Sequence, residues 1–411
     1  MPFYSAIKMN VQSVTTAKVY IDQLKRYQAI ETQLARLLGG WLPGVERWEV
    51  KKQIGYHIWA DMQHSQRIRT RLWELRITNP DRDVDAGIEK AIEALACAQH
   101  DYELIAGVYL ALKTELLAAY KHYVATTFSV YDYPSILTLN TIIPELEAQI
   151  NWANRVVGEL ANNGEKRRQT QRWLQFAKEV VSAMGGVNGD QPAQDLPIPP
   201  PAYATLLPFS QAKRDERFKL QVMGSPMPDE NDVMAYMLWQ FSNYVQEMQA
   251  AETLATTLWE VKGMEWEFYY DVARHCWDEV RHSELGENRL NQLGYHITDF
   301  PCSIGSYGWR QLFNPLIRYC ALTYVIEADS FKLKHNSYQK YLAENDMESA
   351  QAIMYDIMDE TMHVRFGQKW VPKMMPHYQE QKTLQALIDE CRDIVAKHSV
   401  SPAQRQAALA K

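Results

Sequence analysis

The chain has 411 residues, 46% hydrophobic and 23% charged, with a formal net charge of −7. That is the balance of a soluble globular protein with room for two cores, and the negative charge excludes a general electrostatic attraction to nucleic acid. Five scattered cysteines without a C-x-x-C pair exclude a disulfide framework, a zinc knuckle and an iron–sulfur cluster, so a reducing, cytoplasmic setting is expected.

Met1 to Tyr20 has no continuous apolar core of the kind a secretory signal carries, and no later run approaches the roughly 18 uncharged apolar residues that span a bilayer, so neither secretion nor membrane insertion is predicted. The first predicted helix buries Ala17, Tyr20, Leu24, Tyr27, Leu34 and Leu38, and Glu31 falls on the same stripe. The next carries Asp61 and His64 beyond a Gly39–Gly44 turn region. Its basic face of Arg67, Arg69, Arg71 and Arg76, like the Lys166-Arg167-Arg168 cluster, reads as solvated helix surface. Glu115 follows, and then a helical segment around Pro144–Ile150 that contains no histidine.

Six prolines (Pro192, Pro197, Pro199, Pro200, Pro201 and Pro208) then end the helical pattern, because proline cannot continue a helix ladder. Residues 185–210 read as a linker between domains at 1–184 and 211–411.

Past the linker, Met234, Leu238, Phe241, Val245 and Met248 alternate steps of four and three, and the next positions on that stripe are Glu252 and Ala255. A second helix aligns Phe268, Val272, Glu279, His282 and Leu293 on one face. A third aligns Phe313, Ile317, Cys320, Tyr324, Glu327 and Phe331, and a fourth Ile353, Ile357, Glu360, His363 and Trp370. No alternating valine-rich segments compete, and the fold is predicted to be all-α. The halves also echo each other: Ala29-x-Glu31-Thr32 matches Ala250-x-Glu252-Thr253, and Trp59-x-x-x-x-His64-Ser65 matches Trp277-x-x-x-x-His282-Ser283. An internal duplication is the economical reading.

With 50 acidic residues and 11 histidines in 411 positions, roughly one acidic-x-x-His pair arises by chance, so the three present carry weight only through placement. An ionised carboxylate facing a dry core costs several kcal/mol unless it is paired or ligates a metal. Four glutamates and two histidines converge on four stripes: Glu252 and His282 are expected to hold one cation, Glu327 and His363 a second, with Glu279 and Glu360 bridging. Oxygen-rich ligation with one imidazole per ion favours two irons, and admits manganese or a mixed pair, over zinc or copper. Asp278 and Asp359 each precede a bridging glutamate and are expected to orient His363 and His282, respectively, through the second ring nitrogen. Gly286 and Gly367 each lie four residues after a ligand histidine, where close helix packing is the first explanation. Tyr324 and Trp277 read as core residues near the ligands, with electron relay as the alternative. His275, His57, His122 and His335 fit no ligand pattern, and Glu247 lies off its stripe. In the first copy Ala60 stands where the second has Asp278, and Glu115 meets the Glu327 position only with a one-residue shift, so that copy reads as degenerate and structural.

These residues resemble the ferritin-like diiron carboxylate superfamily, with rubrerythrin and the ribonucleotide reductase small subunit as distant relatives. Two stretches look closer to an uncharacterised bacterial ferritin-like domain family, itself compared with tRNA-modifying hydroxylases: Asp278-Glu279-Val280-Arg281-His282 running to Arg289-Leu290-x-x-Leu293-Gly294, and Asp359-Glu360-Thr361-Met362-His363-Val364 followed by Gly367 and Trp370. The resemblance covers about residues 230 to 375, with an eroded echo in 15 to 160. It implies two ferritin-like four-helix bundles in tandem, the N-terminal one degenerate. It also implies that Glu252, Glu279, His282, Glu327, Glu360 and His363 are metal ligands and catalytic residues of a diiron oxygenase. Such an enzyme takes O2, a small organic substrate and electrons from an external donor. A peroxide-scavenging or iron-handling protein, and a metal-free helical scaffold, are the competing readings. A homodimer, or an internal pseudo-dimer of the two bundles, is compatible with the duplication.

Overall fold

A computed structural model describes residues 16–81, 85–199 and 207–399. Most of the Met1–Tyr20 stretch, Pro200 and Pro201 of the linker and the last residues of the expected C-terminal domain lie outside the described residues.

Among those described, the chain is helical almost throughout. Seven α-helices precede the proline-rich segment: α1 (Ala17–Trp41), α2 (Trp48–Glu74), α3 (Ala86–Ala96), α4 (Asp101–Ile105), α5 (Thr114–Thr126), α6 (Tyr133–Leu160) and α7 (Gly164–Ala183). Eight follow it: α8 (Val233–Val245), α9 (Met248–Glu260), α10 (Trp266–Gln292), α11 (Gly305–Arg310), α12 (Pro315–Cys320), α13 (Ala328–Ala343), α14 (Met347–His377) and α15 (Leu384–Ser399). The exceptions to the all-α expectation are two three-residue strands, β1 (Lys219–Gln221) and β2 (Pro301–Ser303), which pair in parallel. Residues 184–199 hold no helix or strand, as their prolines and glycines require. Short polar side chains fix several helix starts: Asp232 accepts from the Ala235 N–H, Asn314 from Ile317 with Pro315 behind it, and Asp346 from Ser349.

Two compact units arise. One comprises Met1–Gln33, Gln63–Leu95 and Tyr102–Pro200, the other Leu34–Met62, Ala96–Asp101 and Pro201–Lys411. The division is therefore not simply one side of the linker against the other, because the second part of α1 and the first part of α2 belong with the C-terminal residues. Among the described residues each unit contains one π-helical segment, Ala106–Lys113 in the first and Ala321–Glu327 in the second. A π turn adds a residue to the helical repeat and re-aims side chains, and such turns cluster at functional sites.

In the second unit α10 packs against α8 and α9, and α14 against α13 and the π segment. The two helical glycines sit at the closest approaches. A Cβ on Gly286 would stand 2.5 Å from the Phe241 carbonyl oxygen, and one on Gly367 would collide with the Thr323 side chain. Packing is what these glycines do here.

Candidate metal centre

The π segment ends on Glu327, α10 supplies His275, Glu279 and His282, and α14 supplies Asp356, Glu360 and His363. Glu247 occupies the break between α8 and α9. In α10 and α14 the same spacing recurs: a polar residue, then a glutamate four positions on, then a histidine three further, which puts all three on one helix face.

Two groups result. His275, Glu279, Glu327 and His363 form one, Glu247, His282, Asp356 and Glu360 the other, and within each the candidate ligand atoms lie within 4.8 Å of one another. Glu279 serves both: its Oε1 is 3.5 Å from His363 Nδ1 and its Oε2 3.8 Å from His282 Nδ1. His282 Nδ1 also lies 3.2 Å from Glu247 Oε2 and 3.6 Å from Asp356 Oδ1, while Glu360 Oε2 is 3.8 Å from His363 Nδ1. Outside this core, His363 Nε2 is 3.3 Å from Asp278 Oδ2 and His282 Nε2 is 3.3 Å from Asp359 Oδ2. Arg274 and Arg281 in turn hold Asp278, and Arg281 lies 3.1 Å from Asp359.

The test of whether a cation fits is whether these atoms are already satisfied. They are not. The Nδ1 atoms of His275, His282 and His363 and the Oε2 atoms of Glu247, Glu327 and Glu360 are buried with no hydrogen-bond partner. Buried polar atoms of native proteins are almost always paired. Here His282 Nδ1 faces Glu247 Oε2 and His363 Nδ1 faces Glu360 Oε2, whereas His275 turns its Nε2, not its Nδ1, toward Glu327 and Glu279. The Nε2 atoms of His282 and His363 face aspartates, which leaves the Nδ1 lone pairs facing inward, as metal ligation needs. The set suits a cation.

Electrostatics agree. Burial opposes a charged imidazole, yet Asp278, Glu360 and Glu327 raise His363 to about 10, and Asp356, Asp359, Glu247 and Glu279 raise His282 well above the usual histidine range. Burial lifts Glu247 to about 7 against the pull of Lys334 and His282, and it lifts Glu327 against His275. Glu360 falls to about 2 because Lys334 and His363 overcome its burial. A site that draws protons so strongly is short of positive charge. Among the described residues Lys334 is the one ammonium in contact, 2.8 Å from Asp356 Oδ1 and 2.5 Å from Glu360 Oε1, and the Tyr244 hydroxyl donates to Asp356 Oδ2 at 2.6 Å.

Five of the six expected ligands are thus brought together: Glu279, His282, Glu327, Glu360 and His363. Glu252 is not among them. Its carboxylate accepts from Lys51 Nζ at 2.5 Å and, from both sides of the Arg214 guanidinium, at 2.7 and 2.8 Å. The stripe rule correctly located a buried carboxylate, but protein cations neutralise it. Glu247 takes the place beside His282 that Glu252 was expected to fill. It was missed because the stripe was extended through the Gln246–Glu247 break, where the helical register changes. His275, read as structural, is fully buried, stacks on the His363 ring at a centroid distance of 3.8 Å, and sets Nε2 2.8 Å from Glu327 Oε1. The spacing that would have flagged it, four residues before a ligand glutamate, is also the spacing of Asp356.

In the first unit Glu31 Oε1 is 3.3 Å from His64 Nδ1, His64 Nε2 is 3.1 Å from Glu145 Oε2, and Tyr120 donates to Glu31 at 2.8 Å. The π segment there ends on Lys113, which donates to Gln149 Oε1 at 2.5 Å, while Glu115 is solvent-exposed.

Residues 167–410 match the model of a family described as "Protein of unknown function (DUF455)", and the chain belongs to that family. All eight residues of the two groups lie within the matched span, whereas Glu31 and His64 lie outside it. No curated protein and no solved structure matches the chain. Among the described residues no helix is long and apolar enough to cross a membrane.

Proposed function

We propose that this DUF455 member is a ferritin-like dimetal oxidoreductase. In this reading two divalent cations, most naturally iron, are held among Glu247, His275, Glu279, His282, Glu327, Asp356, Glu360 and His363, and the enzyme oxidises a small organic substrate with O2 and electrons from an external donor. The observation that carries the reading is the gathering of eight side chains into two groups whose candidate ligand atoms lie within 4.8 Å of one another. Within them the Nδ1 atoms of His282 and His363 and the Oε2 atoms of Glu247, Glu327 and Glu360 are buried without a hydrogen-bond partner. Charge supports it as well. Five carboxylates less the Lys334 ammonium leave four negative charges, which two divalent cations balance. The two units would be tandem four-helix bundles. The first would be a decayed copy.

When bound, a redox-active metal pair would supply the electron-transfer chemistry toward O2. The chain's own contributions are positional. Asp278 and Asp359 hold the tautomer and plane of His363 and His282, so that the Nδ1 atoms face the centre. Glu279 directs one oxygen toward each of these histidines and would help hold both cations. Lys334 and Tyr244 tether Asp356 and Glu360. Exposures of 0–3% for Glu279, His282, Glu327, Glu360 and His363 keep bulk water from them.

Elemental analysis of the purified full-length chain tests the reading, followed by anaerobic iron loading, O2 exposure and Mössbauer spectroscopy. About two ions per chain and a magnetically coupled iron pair are expected. Absence of metal after loading would favour the scaffold reading, and a large excess of iron per chain would favour iron handling.

A further inference from the structure

We infer that Lys334 makes the two cation positions unequal, an inference that rests on the dimetal reading: the group around Glu247 holds its ion more weakly than the group around His275 and fills second.

Each group has four side chains, but the atoms open to a cation differ. In the Glu247 group, Lys334 Nζ lies 2.8 Å from Asp356 Oδ1 and 2.5 Å from Glu360 Oε1, and the Tyr244 hydroxyl donates to Asp356 Oδ2 at 2.6 Å. Of the four oxygens on Asp356 and Glu360, that leaves Glu360 Oε2 buried without a partner. In the His275 group, the ion-pair partners of Glu279 and Glu327 among the described residues are imidazoles alone. His275 Nε2 lies 2.8 Å from Glu327 Oε1 and 3.5 Å from Glu279 Oε1, and His363 Nδ1 lies 3.5 Å from the same Glu279 oxygen.

The two kinds of partner act differently on an incoming ion. An imidazole is itself a metal ligand, so the partners in the His275 group belong to the ligand set. An ammonium has three donors and no acceptor, so Lys334 can only compete with the ion for the same oxygens.

Lys334 also has nowhere to withdraw. It is 8% exposed on α13, and its Nζ stands 5.8 Å from the centroid of the Tyr244 ring, a residue itself 5% exposed. Leaving Asp356 and Glu360 would strand a buried charge, which is strongly destabilising. The ammonium therefore stays with its two carboxylates while the ion is bound, and like charges repel far more in a dry site than in water. The His275 group carries no such fixed cation.

The test is anaerobic addition of ferrous iron, one equivalent and then two, to full-length protein stripped of metal. Anomalous diffraction reads the position of each ion, and competition with a chelator reads the stepwise affinities. At one equivalent, iron is expected among His275, Glu279, Glu327 and His363, with the second ion bound roughly tenfold or more weakly. Lys334→Met, which removes the charge and keeps most of the stem, should tighten the second ion by about tenfold, whereas Lys334→Arg should not. A lysine with a structural role only would give the opposite sign, since its loss would loosen the site. If Lys334→Met does not fold, Tyr244→Phe frees Asp356 Oδ2 without altering charge and should tighten the second ion severalfold; occupancy in the wild type needs no variant at all. Equal occupancy at one equivalent, first occupancy of the Glu247 group, or a second-ion affinity that Lys334→Met leaves unchanged or weakens would overturn the inference and leave the dimetal reading standing. No iron at either position after two equivalents would overturn the dimetal reading, and the inference with it.

Discussion

Glu247 and Glu252 are five positions apart in the sequence, and their neighbours decide their roles. Glu252 faces Lys51 and Arg214, whereas Glu247 faces His282 with an oxygen left unpartnered. Glu252→Gln should therefore leave metal content unchanged but destabilise the fold by about 3–5 kcal/mol, since it strips the counter-charge from two buried cations. Urea unfolding beside elemental analysis separates the two effects. Glu247→Gln should do the reverse, lowering metal content with a smaller loss of stability. Asp278→Asn should weaken metal binding by about 10–100-fold, because His363 loses the group that fixes its ring, and a competition titration against a chelator measures that loss. Proton linkage has a definite sign as well. With His363 raised to about 10 and His282 also raised well above the usual histidine range, both imidazoles carry protons at neutral pH until a cation displaces them. Loading at pH 7 should thus release about two protons, and affinity should rise with pH. Calorimetry in buffers of different ionisation enthalpy reads the number directly, and zero release would contradict this assignment of ligands.

Among the helices, Glu279 and His282 of α10 and Glu360 and His363 of α14 stood out because each pair lies one turn apart in an unbroken helix, whereas His275 and Asp356, one turn earlier, were not singled out. The stripe of α8 was not, because it ran through a break that no single residue announces; Gln246 and Glu247 are ordinary helix formers. The π segments were equally hidden, since a π turn reflects packing around the helix and leaves no distinct mark in composition. Buried arginine was another blind spot: nothing about Gly305–Arg310 as a sequence reveals that its guanidinium lies inside. The helical glycines give a direct test of packing. Gly367→Ala should destabilise by about 1–3 kcal/mol despite its better helix propensity, because its Cβ meets Thr323. Thr323→Ala should recover part of that loss in the double variant. A Gly367→Ala chain as stable as wild type would show that the approach of α14 to the π segment is looser than described.

Across the whole chain, the repeat read from Trp59/His64 and Trp277/His282 correctly flagged histidines that are buried beside carboxylates in both units. The extent of each unit was less legible. Domain edges drawn at the proline-rich segment follow chain chemistry, whereas compact units follow contacts, and Leu34–Met62 belongs with the C-terminal residues. The family match starts at residue 167 and takes in every residue of the candidate centre. If metal is integral to that part, removing it by chelation should lower the melting temperature, and the drop should reverse when iron is restored. The most direct measurement is anomalous diffraction at the iron edge from crystals of the iron-loaded full-length chain. Two peaks are predicted, one bounded by Glu247, His282, Asp356 and Glu360 and the other by His275, Glu279, Glu327 and His363. No peak there, or a peak at Glu252 or between Glu31 and His64 instead, would contradict the account.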